Sequence, residues 1–387
     1  MPAFRVPPLV LAGAGAAQEV GAHLRGRGVR RAFVVSDPGV LAGAGAQRVL
    51  ESVRAAGVEL TLHDGVTSEP TVRMVEAALD AYRGSGAEVV VGLGGGSPMD
   101  AAKAVAVLAR NPGPLPAYEG ADRIPGPRDP LVCIATTAGT GSEVTRYVAV
   151  TDEARDRKML VTSWHLLPDV AVADPDLTLD LPPGPTVSTG VDALTHAVEA
   201  YVSRRAQPLT DTLALSAIRR IGAFLRRAYR DAHDREARAA MSLAALEAGI
   251  AFCNASVALV HGMARPLGAY FGVPHGLANA VLLARVCAFT APAAPARYRD
   301  VAAALGALGQ AAVDATPEAG ARAAVDAIAQ LCADLDVPSL TRLGVPRDRL
   351  DAVVDQMAAD ALASGSPANN PRPAAQEEIA ALYRACY

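Results

Sequence analysis

The stretch EVVVGLGGGSPMDAAKAVAVLA, residues 88–109, changes character twice. Glu88 to Leu93 is an apolar, valine-rich run, the mark of a strand buried on both faces. Gly94, Gly95 and Gly96 follow, where the lack of side chains lets the backbone approach a ligand closely. Ser97 and Pro98 then start a helix, the serine as cap and the proline with its φ already helical. A helix that begins where a buried strand ends aims free N–H groups at whatever lies there, and a pyrophosphate suits them. Asp100, at the third helical position, is expected to support that N-terminus as in a capping box.

The pattern recurs downstream in LVCIATTAGTGSEVT, residues 131–145. Leu131 to Ala135 reads as a strand, and Thr136, Thr137, Gly139, Thr140, Gly141 and Ser142 as a loop of hydroxyls and glycines suited to ribose and phosphate. Upstream, RAFVVSD (31–37) is a strand that ends in an acid. Such an acid can accept from an adenine-ribose 2'-hydroxyl and repel a 2'-phosphate, so Asp37 favours NAD over NADP. Neither glycine loop has the P-loop pattern, which disfavours nucleoside triphosphate chemistry, and Gly13-Ala14-Gly15 lacks the third glycine of a dinucleotide fingerprint. Strand signals around Val58 to Leu62 and in DVAVADPDLT (169–178), with a helix starting near Thr71, complete an alternation that predicts a parallel α/β, Rossmann-like sheet with its ligand at the carboxyl edge.

At Leu181-Pro182-Pro183-Gly184 the text changes. Beyond it come alanine- and leucine-rich helical segments at Ser188–Arg204, Thr210–Ala232, Arg235–Ala255, Arg297–Leu308, Ala319–Leu335 and Ala374–Cys386, with few strand signals. The expected domains are therefore 1–183, α/β and nucleotide-binding, and 184–387, all-α and catalytic.

The helical half holds four candidate metal ligands. Asp192 and His196 lie one helical turn apart in VDALTHAVEAY and so share a face. His261 falls near the end of a long helical run, and His275 stands between Pro274 and Gly276, where a turn can aim it back. One carboxylate and three imidazoles suit iron(II) or zinc and suit calcium or magnesium poorly. Only seven histidines occur in the chain, and three of them fall in this set.

Composition bounds the rest. A chain of 387 residues with 51% hydrophobic content has ample core for two domains. No apolar run approaches the roughly 18 residues of a membrane span, and the N-terminus lacks a leader pattern, so the expectation is a cytoplasmic protein. A net charge of -4 with mixed signs gives no reason to expect nucleic acid or a membrane as partner. Five scattered cysteines without a CxxC indicate neither disulfide framework nor zinc ribbon. Of the 36 basic residues only Lys103 and Lys158 are lysine, and both fall within or just after the glycine loops.

GGGSPMDAAK (94–103), TTAGTGSEVT (136–145), DALTHAVEAY (192–201), HGMARPLGAYFGVPHGLANAVLL (261–283) and NPRP (370–373) together resemble the iron-containing, group III alcohol dehydrogenases, in family order and over essentially the whole chain. The resemblance implies an NAD(P)-dependent oxidoreductase passing hydride between the nicotinamide and a small alcohol or aldehyde, with Fe2+ or Zn2+, working as a homodimer. It puts the metal on Asp192, His196, His261 and His275, and the nucleotide on Asp37, Gly95, Gly96, Ser97, Asp100, Thr136, Thr137, Ser142 and Lys158. Lys158 would approach the nicotinamide ribose or carboxamide, Lys103 would be structural, and Phe252 matches a position lining the substrate pocket of lactaldehyde-reducing members.

One departure bears on substrate. Many members carry a second histidine a turn after the third ligand, where this chain has Arg265, which stays protonated and cannot act as an ordinary base. A guanidinium fork suits a carboxylate or phosphonate, so the sequence suggests an anionic aldehyde such as a semialdehyde or phosphonoacetaldehyde, with Arg146 as a second cation. The alternatives are a generalist short-chain alcohol or lactaldehyde reductase, a dehydroquinate-synthase-like lyase, or a non-catalytic nucleotide-binding protein. The lyase resemblance would predict a glutamate among three ligands and a lysine-rich phosphate site, and the retained ligand types disfavour the non-catalytic reading.

Overall fold

The computed structural model describes residues 3–155, 157–309 and 315–387. The chain divides into a unit of Arg5–Leu181 and a unit built on Pro182–Tyr387.

In the first unit β1 (Leu9–Ala12), α1 (Glu19–Gly26), β2 (Arg31–Val35), α2 (Pro38–Ala42), α3 (Ala44–Ala55), β3 (Glu59–His63), α4 (Val72–Ser85), β4 (Val89–Gly94) and α5 (Gly96–Leu108) alternate. The short β5 (Gly120–Ala121), then β6 (Leu131–Ala135), β7 (Tyr147–Asp152), β8 (Arg157–Thr162) and β9 (Val170–Ala173) follow. Six strands form one all-parallel sheet in the order β1-β9-β6-β4-β2-β3. Its valine-rich strands send alternate side chains into two cores. Phe33, Val35, Val90, Leu131 and Cys133 pack on one face; Ala32, Val34, Val89, Val91, Val132, Ile134 and Val172 pack on the other. Burial on both faces explains why these strands read as continuous apolar runs. From β2 the chain goes out to β3, then crosses to β4 on the other side of β2 and moves on through β6 to β9. The order thus reverses between β2 and β4, and the loops at their carboxyl ends flank the position where open α/β sheets bind ligands.

A second sheet, β5-β8-β7, was not anticipated. Its β7–β8 hairpin is antiparallel and lies close to the start of α5, where Ala149 N–H donates to Asp100 Oδ2 at 2.9 Å.

The second unit comprises α6 (Pro183–Val202), α7 (Pro208–Arg230), α8 (Arg235–Ala255), α9 (Leu259–Phe271), α10 (His275–Thr290), α11 (Pro295–Ala304), α12 (Pro317–Asp334), α13 (Arg347–Ala363) and α14 (Gln376–Ala385). α6 is buried nearly all round from Thr186 to Val202 and packs against α7, α8 and α10. Two glycines set its distances. A Cβ at Gly190 would sit 2.3 Å from Leu225 of α7, and one at Gly276 of α10 would sit 2.5 Å from the Ser188 carbonyl of α6.

The long helical run expected to carry His261 near its end is broken. α8 stops at Ala255, Ser256 takes φ 66°, and α9 leaves at 102° to α8. His261 is consequently near the start of α9, and His275 begins α10 with Pro274 as its cap residue. The expectation that no apolar run nears membrane-span length is also corrected: His275–Ala293 is long and apolar enough by composition. It is a core helix, packed against α6, α9, α12 and α14.

Candidate metal centre and nucleotide edge

Asp192 and His196 lie on one face of α6, with side chains 2% and 5% exposed, and His196 Nδ1 is 3.9 Å from Asp192 Oδ2. His261 Nε2 is 3.6 Å and His275 Nε2 4.0 Å from Asp192 Oδ1. One ligand atom from each of Asp192, His261 and His275 can be chosen so that all lie within 4.8 Å of one another, close enough for one ion to bridge them. His196 adjoins them, its ring stacked between Phe252 at 4.0 Å and His261 at 4.5 Å. Phe252 is thus a wall of this centre.

The donor set fits a divalent transition metal on an observation independent of any relative. The buried Asn279 amide nitrogen donates to Asp192 Oδ1 at 2.6 Å and stands 3.2 Å from His261 Nε2 and 3.3 Å from His275 Nε2. Three lone-pair atoms therefore converge on one small region that calls for a positive partner. Burial opposes the charge of Asp192, but the imidazoles of His196, His261 and His275 outweigh it and hold the carboxyl well below its usual range. Burial pushes the His261 pKa down, while the nearby carboxylates of Asp192 and Glu199, the latter accepting from Nδ1, prevail and raise it.

Two neighbours were missed in the sequence. Glu199 accepts from His261 Nδ1 at 2.7 Å, and Asn279 bonds Asp192 as described. Helical spacing could have flagged both, since Glu199 follows His196 by three residues on the same face of α6 and Asn279 follows His275 by four on α10. Arg265, one turn beyond His261, is half-buried and donates from Nη1 to Ser366 Oγ at 2.9 Å.

In the N-terminal unit Asp37, Gly95 to Ser97 and Thr136 to Ser142 follow the carboxyl ends of β2, β4 and β6, while Lys158 lies on β8 of the second sheet. Gly95 is the cap residue of α5 and supplies no side-chain cap, so the first N–H groups of a helix of 13 residues face that edge. This corrects the reading of Ser97 as the cap, since the helix already begins at Gly96. A Cβ at Gly96 would meet Thr140 at 3.1 Å, so the strand β4 loop lies close under the Thr136–Ser142 loop. Thr136 N–H donates to Gly94 O at 2.9 Å, tying the loops together. Thr137 Oγ1 is buried without a hydrogen-bond partner among the described residues. A buried hydroxyl beside a glycine cradle and an uncapped helix start fits the phosphates and ribose of a dinucleotide.

Asp100 is corrected from capping box to strut. Its Oδ1 accepts from Ser142 Oγ at 2.6 Å and its Oδ2 from Ala149 N–H, joining α5 to both the threonine loop and the hairpin. Lys103 is fully buried and donates to Thr145 Oγ1 at 3.2 Å and Tyr147 O at 3.1 Å. Lys158, on β8, donates to Glu69 Oε2 at 2.9 Å. Asp37 caps α2, accepting from Val40 N–H at 2.9 Å. Arg146 lies with its guanidinium 4.5 Å over the Trp164 ring.

A buried carboxylate–imidazole cluster and a dinucleotide-type sheet edge on one chain define a metal- and nucleotide-dependent oxidoreductase. Residues 7–175 match the family model for iron-containing alcohol dehydrogenase, and residues 186–387 match that for the Fe-containing alcohol dehydrogenase family, C-terminal. The chain is 39% identical over 385 residues to alcohol dehydrogenase 4 of Schizosaccharomyces pombe, covering 99% of this chain and 88% of that one. It superposes on a crystal structure of 1,3-propanediol oxidoreductase with TM-score 0.96, 37% identity and 100% of both chains. A sulfoacetaldehyde reductase from Bifidobacterium kashiwanohense, solved with NAD+, gives TM-score 0.88 and 27% identity, over 100% of this chain and 98% of that one. The chain belongs to the iron-containing alcohol dehydrogenase family and is a metal-dependent, NAD(P)-linked oxidoreductase acting on CH–OH groups.

Proposed function

We propose that Asp192, His196, His261 and His275 hold the catalytic metal of an NADH-dependent reductase of small aldehydes, and that the unit of Arg5–Leu181 holds the nucleotide on Gly95, Gly96, Ser97, Thr136, Thr137, Ser142, Lys158 and Asp37. The observation that carries this reading is the convergence of Asp192, His261 and His275 ligand atoms within 4.8 Å. Iron(II), or zinc in its place, polarises a carbonyl and eases loss of an alcohol proton when bound. The chain supplies the rest: Phe252 walls the site beside His196, the α5 start and the threonine loop orient the dinucleotide, and Asp100 holds those loops together. Asp37 supports NAD over NADP. The resemblance also supports a homodimer, which light scattering tests, and we place the protein in the cytoplasm, which cell fractionation tests. Asp192→Asn and His261→Ala should each bind metal more weakly and lose at least about 10³-fold in kcat/KM. Unchanged turnover in metal-stripped protein would sink the reading.

A second reading concerns the substrate. Arg265 brings a permanent cation one helical turn from His261, and its Nη1 donates to Ser366 Oγ at 2.9 Å. This supports an anionic aldehyde over a neutral one. A preference of about 100-fold, about 2.7 kcal/mol, for succinic semialdehyde over butanal is expected of a charge-assisted contact, and Arg265→Ala should abolish it. Equal kcat/KM for the two aldehydes would instead leave a generalist alcohol or lactaldehyde-type reductase.

A further inference from the structure

We infer that Glu199 is a positioning residue of the metal centre, acting on His261 from α6; this rests on the reading of the four side chains as a metal site. Glu199 lies on the face of α6 that carries Asp192 and His196, and its carboxylate is buried, with the residue 3% exposed. Oε2 accepts from Ala258 N–H at 2.9 Å and from His261 Nδ1 at 2.7 Å, and Oε1 accepts from Val260 N–H at 2.5 Å. Two consequences follow from a carboxylate that can only accept.

The first concerns the ligand. Nδ1 of His261 must carry its proton to meet Glu199, so the neutral ring has its lone pair on Nε2, the nitrogen that faces Asp192. The opposite tautomer would set two acceptors against each other at 2.7 Å and turn an N–H toward the metal position. The second concerns the helix. α9 has no side-chain cap of its own at Ala258, and the carboxylate from α6 satisfies N–H groups of its first turn that would otherwise be orphaned in the core. One side chain therefore fixes where the helix carrying His261 starts and which nitrogen that histidine offers.

These two roles separate in a double-mutant cycle read by zinc affinity, measured by competition with a chromophoric chelator, alongside the melting temperature of the metal-free protein. Glu199→Gln must place an amide NH2 against a backbone N–H or against Nδ1–H, so some loss of melting temperature is expected whatever its role. The positioning role predicts in addition a 10- to 100-fold loss of zinc affinity, of the order found for partners of ligating histidines. It also predicts that the same substitution in a His261→Ala background changes affinity by less than about threefold, because the group it acts through is gone. An equal loss in both backgrounds, or no loss in the first, overturns the inference. Should Glu199→Gln not fold, nitrogen-15 spectra of the histidines in the zinc-loaded natural protein decide it: His261 protonated at Nδ1 and ligating through Nε2 supports it, and the reverse overturns it. Absence of zinc binding by the natural protein would fail the metal-site reading itself, a result distinct from either.

Discussion

Glu143 shows what a single buried charge costs in the nucleotide-binding unit. It is 2% exposed, and burial pushes its carboxyl up to about 7, against the pull of its backbone bond and the Lys103 ammonium. Between the ordinary value of 4.5 and about 7 the unfolded chain is ionised while the folded chain still holds its proton. The folded state then binds more protons, so stability falls as pH rises through that window and levels off above it. Glu143→Gln removes the titration. Relative to the natural protein, the variant's urea midpoint should gain progressively from pH 5 to pH 8, with no further gain beyond. A constant difference across that range would mean that the glutamate is ionised in the folded chain and paired with Lys103.

Helices act here by how closely they approach. Alanine at Gly276 would ordinarily stabilise a helix by about 1 kcal/mol, but its Cβ would stand 2.5 Å from the Ser188 carbonyl oxygen. That neighbour is backbone, so α10 must move off α6, taking His275 with it. The clash should win, costing about 1–3 kcal/mol and weakening metal binding. Gly184→Ala, with nothing within 4 Å, is the control that should be neutral or slightly stabilising. Thermal melts with and without zinc distinguish the two, and a Gly276→Ala protein that binds zinc normally would contradict the packing argument.

Element by element, legibility in the sequence followed how local the cause was. Leu131–Ala135 and Arg235–Ala255 have the bounds read from the sequence because their signals are local: an apolar run after Pro130, and Asp234 as a helix cap. The β7–β8 hairpin escaped notice because its half-buried strands alternate among charged residues, and its docking depends on Asp100, far away in sequence. The break at Ser256 carries no glycine or proline; its φ of 66° accompanies bonds from Asn369 to Ser256 Oγ and Val257 O, which only the folded chain provides. The four ligand candidates were legible because few residue types can do their chemistry. Glu199 and Asn279 share the helical spacing of the ligands, but spacing alone does not separate a buried partner of a ligand from a solvated glutamate or asparagine.

At the scale of the molecule, the proposed function gives the two units separate binding chemistry, and each should respond to its own ligand. The N-terminal unit presents an uncapped helix start and a hydroxyl loop on a parallel sheet; the helical unit joins α6, α9 and α10 through Asp192, Glu199, His261, Asn279 and His275. A ligand that binds only the folded state stabilises it by about 2.7 kcal/mol at 100 times its dissociation constant. Zinc at that excess should therefore slow amide hydrogen exchange in α6, at the start of α9 and in the first turns of α10, whose ligands it links, and a chelator should reverse the effect. NADH alone should slow exchange at residues 94–100 and 136–142, where the cradle and the Asp100 strut lie. If zinc instead protects only the threonine and glycine loops, the histidines are structural and the metal belongs elsewhere. If NADH leaves those loops exchanging freely, the dinucleotide is not held by the edge between β2 and β4, and the roles given to Gly95, Gly96 and Thr137 fall with it.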